Sequence, residues 1–144
     1  MKLVIINYGA GNTQSVKFAF QRLGVNPVLS DDKEEILSAD KIIFPGVGHA
    51  KAAMDVLKEK GLNVLIPQLK QPVLGICLGM QLLCTGSDES PSFKGFNVFT
   101  QECRKFKSTD LRVPHVGWNN VQIEKYNPLF EGVSSNFSAY FSHS

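Results

Sequence analysis

"PVLGICLGMQLL", Pro72 to Leu83, is the stretch from which the rest of the chain is best read. "PVLGI" is a short apolar run of strand character, and from Cys77 onward the apolar residues take helical spacing. A cysteine therefore stands between two glycines, Gly75 and Gly79, where a strand gives way to a helix. Gly-x-nucleophile-x-Gly is the pattern of a sharp strand-to-helix elbow, whose strained turn needs small residues two places either side. At such an elbow the sulfur meets the positive end of a helix, and the amide of the next residue, Leu78, is aimed at an oxyanion. The alternative is a core cysteine at a strand–helix junction, since free cysteine is among the most buried residue types.

Upstream of the elbow the chain alternates. "LVIINYG" is a strand ending in glycine, and "TQSVKFAFQRLG" carries Val16, Ala19, Phe20 and Leu23 at helical spacing before a glycine stop. "NPVLS" is a strand, and "DDKEEILSAD" opens a helix with an acidic first turn. "KIIFPG" is the next strand, and "HAKAAMDVLKEKG" the next helix, with Ala52, Ala53, Val56 and Leu57 on one face. "GLNVLIPQLK" fits helix or strand. Buried strands alternating with helices predict an α/β fold, a mostly parallel sheet flanked by helices on both faces. Ligand crevices of such sheets lie beyond the carboxyl ends of the strands, which puts "NYGAGN", "PGVGH" and "GICLG" on one edge. After about Asp88 the chain becomes β-rich: "FKGFNVFTQECRKF", "VGWNNVQIEK" and "NFSAYFSHS" read as strands, with a short helix in "NPLFEGV". The whole, 1–144, reads as a single domain. It stops inside an aromatic run, so the expectation is that its C-terminal part is missing.

Composition narrows the function classes. Fifteen basic and thirteen acidic side chains leave a net charge of +2, which lends no electrostatic support to nucleic-acid binding. No apolar run approaches the length of a membrane span. Three cysteines without a CxxC pair argue against a disulfide framework or a thiolate zinc site, and for a reducing, cytoplasmic setting. His49, His115 and His143 show no metal-ligand spacing, so no metal is expected, and each is a candidate base for Cys77. "GAGN" suggests a dinucleotide loop, with Asp31 and Asp32 as ribose ligands, but Gln14 occupies the place of the third glycine and no cofactor is expected. "PGVG", Pro45 to Gly48, reads either as a plain turn or as a second source of an oxyanion amide.

"NYGAGN", "PGVG", "GICLGMQLL", "VPHVGWN" and "YFSHS", in this order, resemble the glutaminase subunits of imidazole glycerol phosphate synthases. These are triad-type, class I glutamine amidotransferases with a flavodoxin-like sheet. The resemblance implies Cys77 as nucleophile on L-glutamine, and Val47 and Leu78 as oxyanion amides. It implies a substrate site of Gly46, Gly48, Gln81 and Glu89 with the backbone at His143 and Ser144. Asn12, His115 and Trp118 match the face that meets a (β/α)₈ cyclase, the partner that consumes the ammonia. The family's base is a histidine, backed by a glutamate two residues later. Both lie beyond the "HS" that ends this sequence, and none of His49, His115 and His143 matches that histidine. The expectation is a nucleophile without its base, and negligible hydrolysis by the 144 residues alone.

Overall fold

The computed structural model describes residues 1–144, which form two compact units, Met1–Arg104 and Lys105–Ser144. The first unit contains β1 (Leu3–Ile6), α1 (Thr13–Arg22), β2 (Val28–Ser30), α2 (Lys33–Leu37), β3 (Lys41–Gly46), α3 (Ala50–Glu59), α4 (Leu62–Leu65), β4 (Val73–Cys77) and α5 (Leu78–Leu83). Its four strands are all parallel, in the order β2-β1-β3-β4. The ambiguous "GLNVLIPQLK" is helical: α4 runs into a 3-10 turn over Ile66–Gln68.

Alternation along the strands divides the core. Val4, Ile6, Ile42 and Phe44 face one side and pack with Ile36, Leu57, Leu62, Leu78 and Leu82 from α2 to α5. Leu3, Ile5 and Ile43 face the other, where Val16 and Phe20 of α1 cover them. Burial on both faces is why these strands read as unbroken apolar runs. Two helix faces differ from expectation. In α3 the buried residues are Ala50, Ala53, Met54 and Leu57, while Ala52 is exposed. Leu23 caps α1 and is 77% exposed, because the helix has already ended where the chain turns away at Gly24. Helix starts follow local chemistry: Asn12 Oδ1 accepts from the Ser15 amide (3.2 Å), and Asp32 Oδ1 from the Glu35 amide (2.8 Å). These caps, and the Asp31–Lys60 ion pair at 2.5 Å, account for the residues that suggested a nucleotide loop.

"FKGFNVFTQECRKF" is not a strand. The amides of Phe96, Asn97, Val98 and Phe99 donate to carbonyls of Leu82, Cys84, Leu83 and Leu83, the C-terminal end of α5. The last four carbonyls of a helix lack intrahelical partners, and this segment satisfies those of Leu82 and Leu83, with that of the cap residue Cys84, instead of joining a ladder. Asn97 has φ +54°, and a Cβ at Gly95 would collide with the Cys84 carbonyl oxygen, so the path is set by close contact. Cys103 forms one isolated bridge with Ser87. Burial and a hydrogen bond to the Cys84 side chain push its thiol up to about 11.

The second unit is an antiparallel ribbon of β5 (His115–Gln122) and β6 (Asn136–His143), paired from His115↔His143 to Gln122↔Asn136. A 3-10 turn over Pro128–Phe130 is the short helix expected in "NPLFEGV", capped by Asn127 Oδ1 accepting from the Leu129 amide. His115 is the first residue of β5.

Candidate active site

The carboxyl ends of β1, β3 and β4 share an edge of the parallel sheet, and the three glycine loops leave from it. Gly46 and Cys77 are register partners at the ends of β3 and β4. Cys77 is exposed and has φ +54°, ψ −119°, a backbone conformation that non-glycine residues rarely hold. It ends β4 and is the residue immediately before α5. This is the elbow geometry, with the thiol presented outward rather than packed in the core.

The flanking glycines have steric reasons. A Cβ at Gly75 would lie 2.7 Å from Met80 Cα, and one at Gly79 would collide with the Phe44 carbonyl oxygen. On β3, a Cβ at Gly46 would come within 2.7 Å of the Gly79 nitrogen and 2.8 Å of the Tyr8 hydroxyl. The end of β3, the first turn of α5 and Tyr8 therefore converge with no room for a methyl group. Leu78, first residue of α5, has an amide without an intrahelical acceptor. Val47 follows Gly46 and is half exposed, and Gly48 has φ +87°, a value that favours glycine. Gln81 lies one turn beyond Cys77 on α5, partly buried.

Two residues with no signal in the sequence support these loops. Tyr8, fully buried behind β1, donates its hydroxyl to the Pro45 carbonyl at 3.1 Å. Burial, and then the neighbouring Cys77 charge, push its pKa up to about 12. The second is Ser90, whose buried Oγ lies 3.0 Å from His49 Nε2. That contact ties the loop after β3 to the loop carrying Glu89, which is itself exposed. His49 precedes α3, as expected of a residue beginning a helix.

The remaining candidates belong to the second unit. His115 Nδ1 and His143 Nε2 are 3.4 Å apart across β5 and β6, and Ser144 follows β6. Trp118 is 72% exposed and meets Tyr140 edge-on, ring centroids 5.8 Å apart. The first unit thus brings together Gly46, Val47, Gly48, Cys77, Leu78 and Gln81, and the ribbon brings together His115 and His143. The hydrogen bonds of the three histidines go to Ser90 and to one another. Asn12 caps its own helix rather than extending across the crevice.

A family model described as "Glutamine amidotransferase class-I" matches residues 4–144. The chain belongs to that family. Among curated relatives, this amidotransferase chain is 49% identical over 144 residues to an imidazole glycerol phosphate synthase subunit HisH of Buchnera aphidicola subsp. Schlechtendalia chinensis. The match covers all of this chain and 83% of the relative. It is 45% identical over 146 residues to the same-named subunit of Bacteroides fragilis strain YCH46, covering all of this chain and 74% of that one. Among solved structures, a crystal structure of a glutamine amidotransferase superposes with TM-score 0.72 at 18% identity, over 96% of this chain and 70% of that one. A putative GMP synthase component from Thermoplasma acidophilum gives TM-score 0.67 at 21% identity, over 99% and 64%. At those identities the likeness is one of fold, and it agrees with the α/β class expected from the alternating runs. No helix of this amidotransferase is long and apolar enough to cross a membrane.

Proposed function

We propose that the chain is the glutaminase component of an imidazole glycerol phosphate synthase, acting in histidine biosynthesis in the cytoplasm. The observation that carries this reading is Cys77 at φ +54°, exposed beside Gly46, in a chain 49% identical to a HisH subunit. The Cys77 sulfur attacks the side-chain amide carbon of L-glutamine. The amides of Val47 and Leu78 receive the negative charge on the carbonyl oxygen. The C–N bond breaks, the nitrogen leaves as ammonia with the proton given up by the Cys77 thiol, and a γ-glutamyl thioester remains. Water then attacks the thioester, the C–S bond breaks, and glutamate and the free thiol are released. Gly46 and Gly48 shape the loop. Gln81, Glu89 and the backbone at His143 and Ser144 hold the amino-acid end of the substrate, with Glu89 facing the ammonium.

Both units are parts of one amidotransferase domain, a reading supported by a family match that runs through both. Asn12, His115 and Trp118 form the face toward a (β/α)₈ cyclase, which takes the ammonia in a heterodimer. A second reading, docking without turnover, has its own support: His49, the one histidine in the unit that carries Cys77, has its ring hydrogen bond with Ser90. In the leading reading none of His49, His115 and His143 is the base, and the 144 residues alone hydrolyse glutamine negligibly. The two readings separate on covalent capture. Incubation with a glutamine-like chloroketone followed by peptide mass spectrometry labels Cys77, and free L-glutamine protects it. Absence of glutamine-protected labelling removes the glutaminase reading. Ammonia release by the 144 residues above that of Cys77→Ala removes the claim that they lack a base.

A further inference from the structure

The mechanism leaves one buried, titratable side chain beside the reacting sulfur without a role: Tyr8. Its ring is fully buried and packs against Phe44, centroids 5.6 Å apart. Its hydroxyl is the point where three segments meet. It donates to the Pro45 carbonyl, it would lie 2.8 Å from a Cβ at Gly46, and Gly46 is the register partner of Cys77. The peptide that carries the Val47 amide begins at Gly46, directly after the carbonyl that Tyr8 holds. Gly46 has no side chain through which to fix that peptide, whereas the hydroxyl anchors the unit before it. Tyr8, Leu78 and Gly79 leave no room for a side chain at Gly46, so the end of β3 runs close against the elbow.

We propose that Tyr8 is a positioning residue for chemistry at Cys77: through the Pro45 carbonyl, its buried hydroxyl sets the Gly46–Val47 peptide that stabilises the oxyanion. The inference rests on the reading of Cys77 as a nucleophile on a carbonyl. Tyr8 touches no substrate atom and moves no proton. It stays protonated, and so remains a donor, through neutral and moderately alkaline pH.

The test compares two electrophiles on the 144-residue chain. A glutamine-like chloroketone passes through a thiohemiketal oxyanion and so needs the amides, whereas iodoacetamide alkylates the sulfur without one. In Tyr8→Phe the chloroketone rate is expected to fall about tenfold or more, with the iodoacetamide rate within about twofold of wild type. A chloroketone-to-iodoacetamide ratio equal to that of wild type overturns the proposal and leaves the glutaminase reading intact. Wild-type protein without glutamine-protected chloroketone labelling overturns both. A loss of both rates in parallel, with a changed circular-dichroism spectrum, would mean that the phenylalanine variant is misfolded. In that case 3-fluorotyrosine at position 8, which keeps the ring and makes the hydroxyl more acidic, decides. A ratio that falls as that hydroxyl ionises supports the proposal, and a ratio flat with pH overturns it.

Discussion

In Met1–Arg104, Val4, Ile6, Phe44 and Leu82 are completely buried between a parallel sheet and its helices. Among Lys105–Ser144 no residue is buried, and Trp118, Tyr126 and Leu129 are 70% exposed or more. The two units contain the same kinds of apolar residue and hold themselves together differently. A parallel sheet needs cover on both faces, so its strands and helices interlock to the point where a single methyl group does not fit at Gly79. A two-stranded ribbon has only its ladder and its cross-strand pairs, which are marginal in water, and its aromatic side chains remain available to other surfaces. The exposed, strained cysteine sits in the unit whose packing can hold it. The exposed aromatics sit in the unit that cannot bury them.

The contrast can be broken at several points. The largest effect is expected at the elbow: Cys77→Ala lowers covalent capture of a glutamine-like electrophile by more than about a thousandfold, read by mass spectrometry. Cys103→Ala leaves that capture unchanged. Next comes packing. Gly79→Ala drives a methyl group into the Phe44 carbonyl and is expected to destabilise the first unit by about 3 kcal/mol in urea unfolding. A change below about 1 kcal/mol would mean that the elbow tolerates far more movement than its contacts suggest.

Alkaline pH gives a smaller effect confined to the same unit. Tyr8 has an ordinary value of 10.0 and is raised to about 12 in the fold, so between these values the unfolded chain has lost a proton that the folded chain retains. The Tyr8 contribution to stability is therefore full below pH 10 and declines as pH rises toward 12, by at most about 1.4 kcal/mol per pH unit. Thermal unfolding across that window checks it, and Tyr8→Phe should remove this contribution to the decline. In the ribbon the order reverses, with binding affected more than stability. Trp118→Ala is expected to weaken binding to the cyclase about tenfold or more by calorimetry. Its cost to folding is about 0.5 kcal/mol, that of one exposed cross-strand pair. A change of stability alone is expected at Gly117, where φ is +146° but nothing lies within 4 Å of an added Cβ. Gly117→Ala is expected to cost about 1 kcal/mol, from backbone strain alone.

Features written in neighbouring residues were legible before any tertiary structure. The elbow shows in "GICLG", the α/β alternation in runs of matching period, and the start of α2 in the acidic first turn of "DDKEEILSAD". The elbow also announces itself sterically, since only glycine fits at positions 75 and 79. The helical segment over Leu62–Gln68 and the fate of Phe93–Phe106 were not legible. The first is too short for its period to be distinguished, and the second is governed by carbonyls left unpaired at the end of another element. The supports of the site belong to the same class: Tyr8 to Pro45 spans 37 residues, and His49 to Ser90 spans 41. By itself the sequence determined which sulfur is presented and on what kind of turn, because a strained turn selects its residues locally. Only the tertiary structure decided what holds the facing loop in place, because a hydrogen bond between distant segments leaves no periodic mark in either of them.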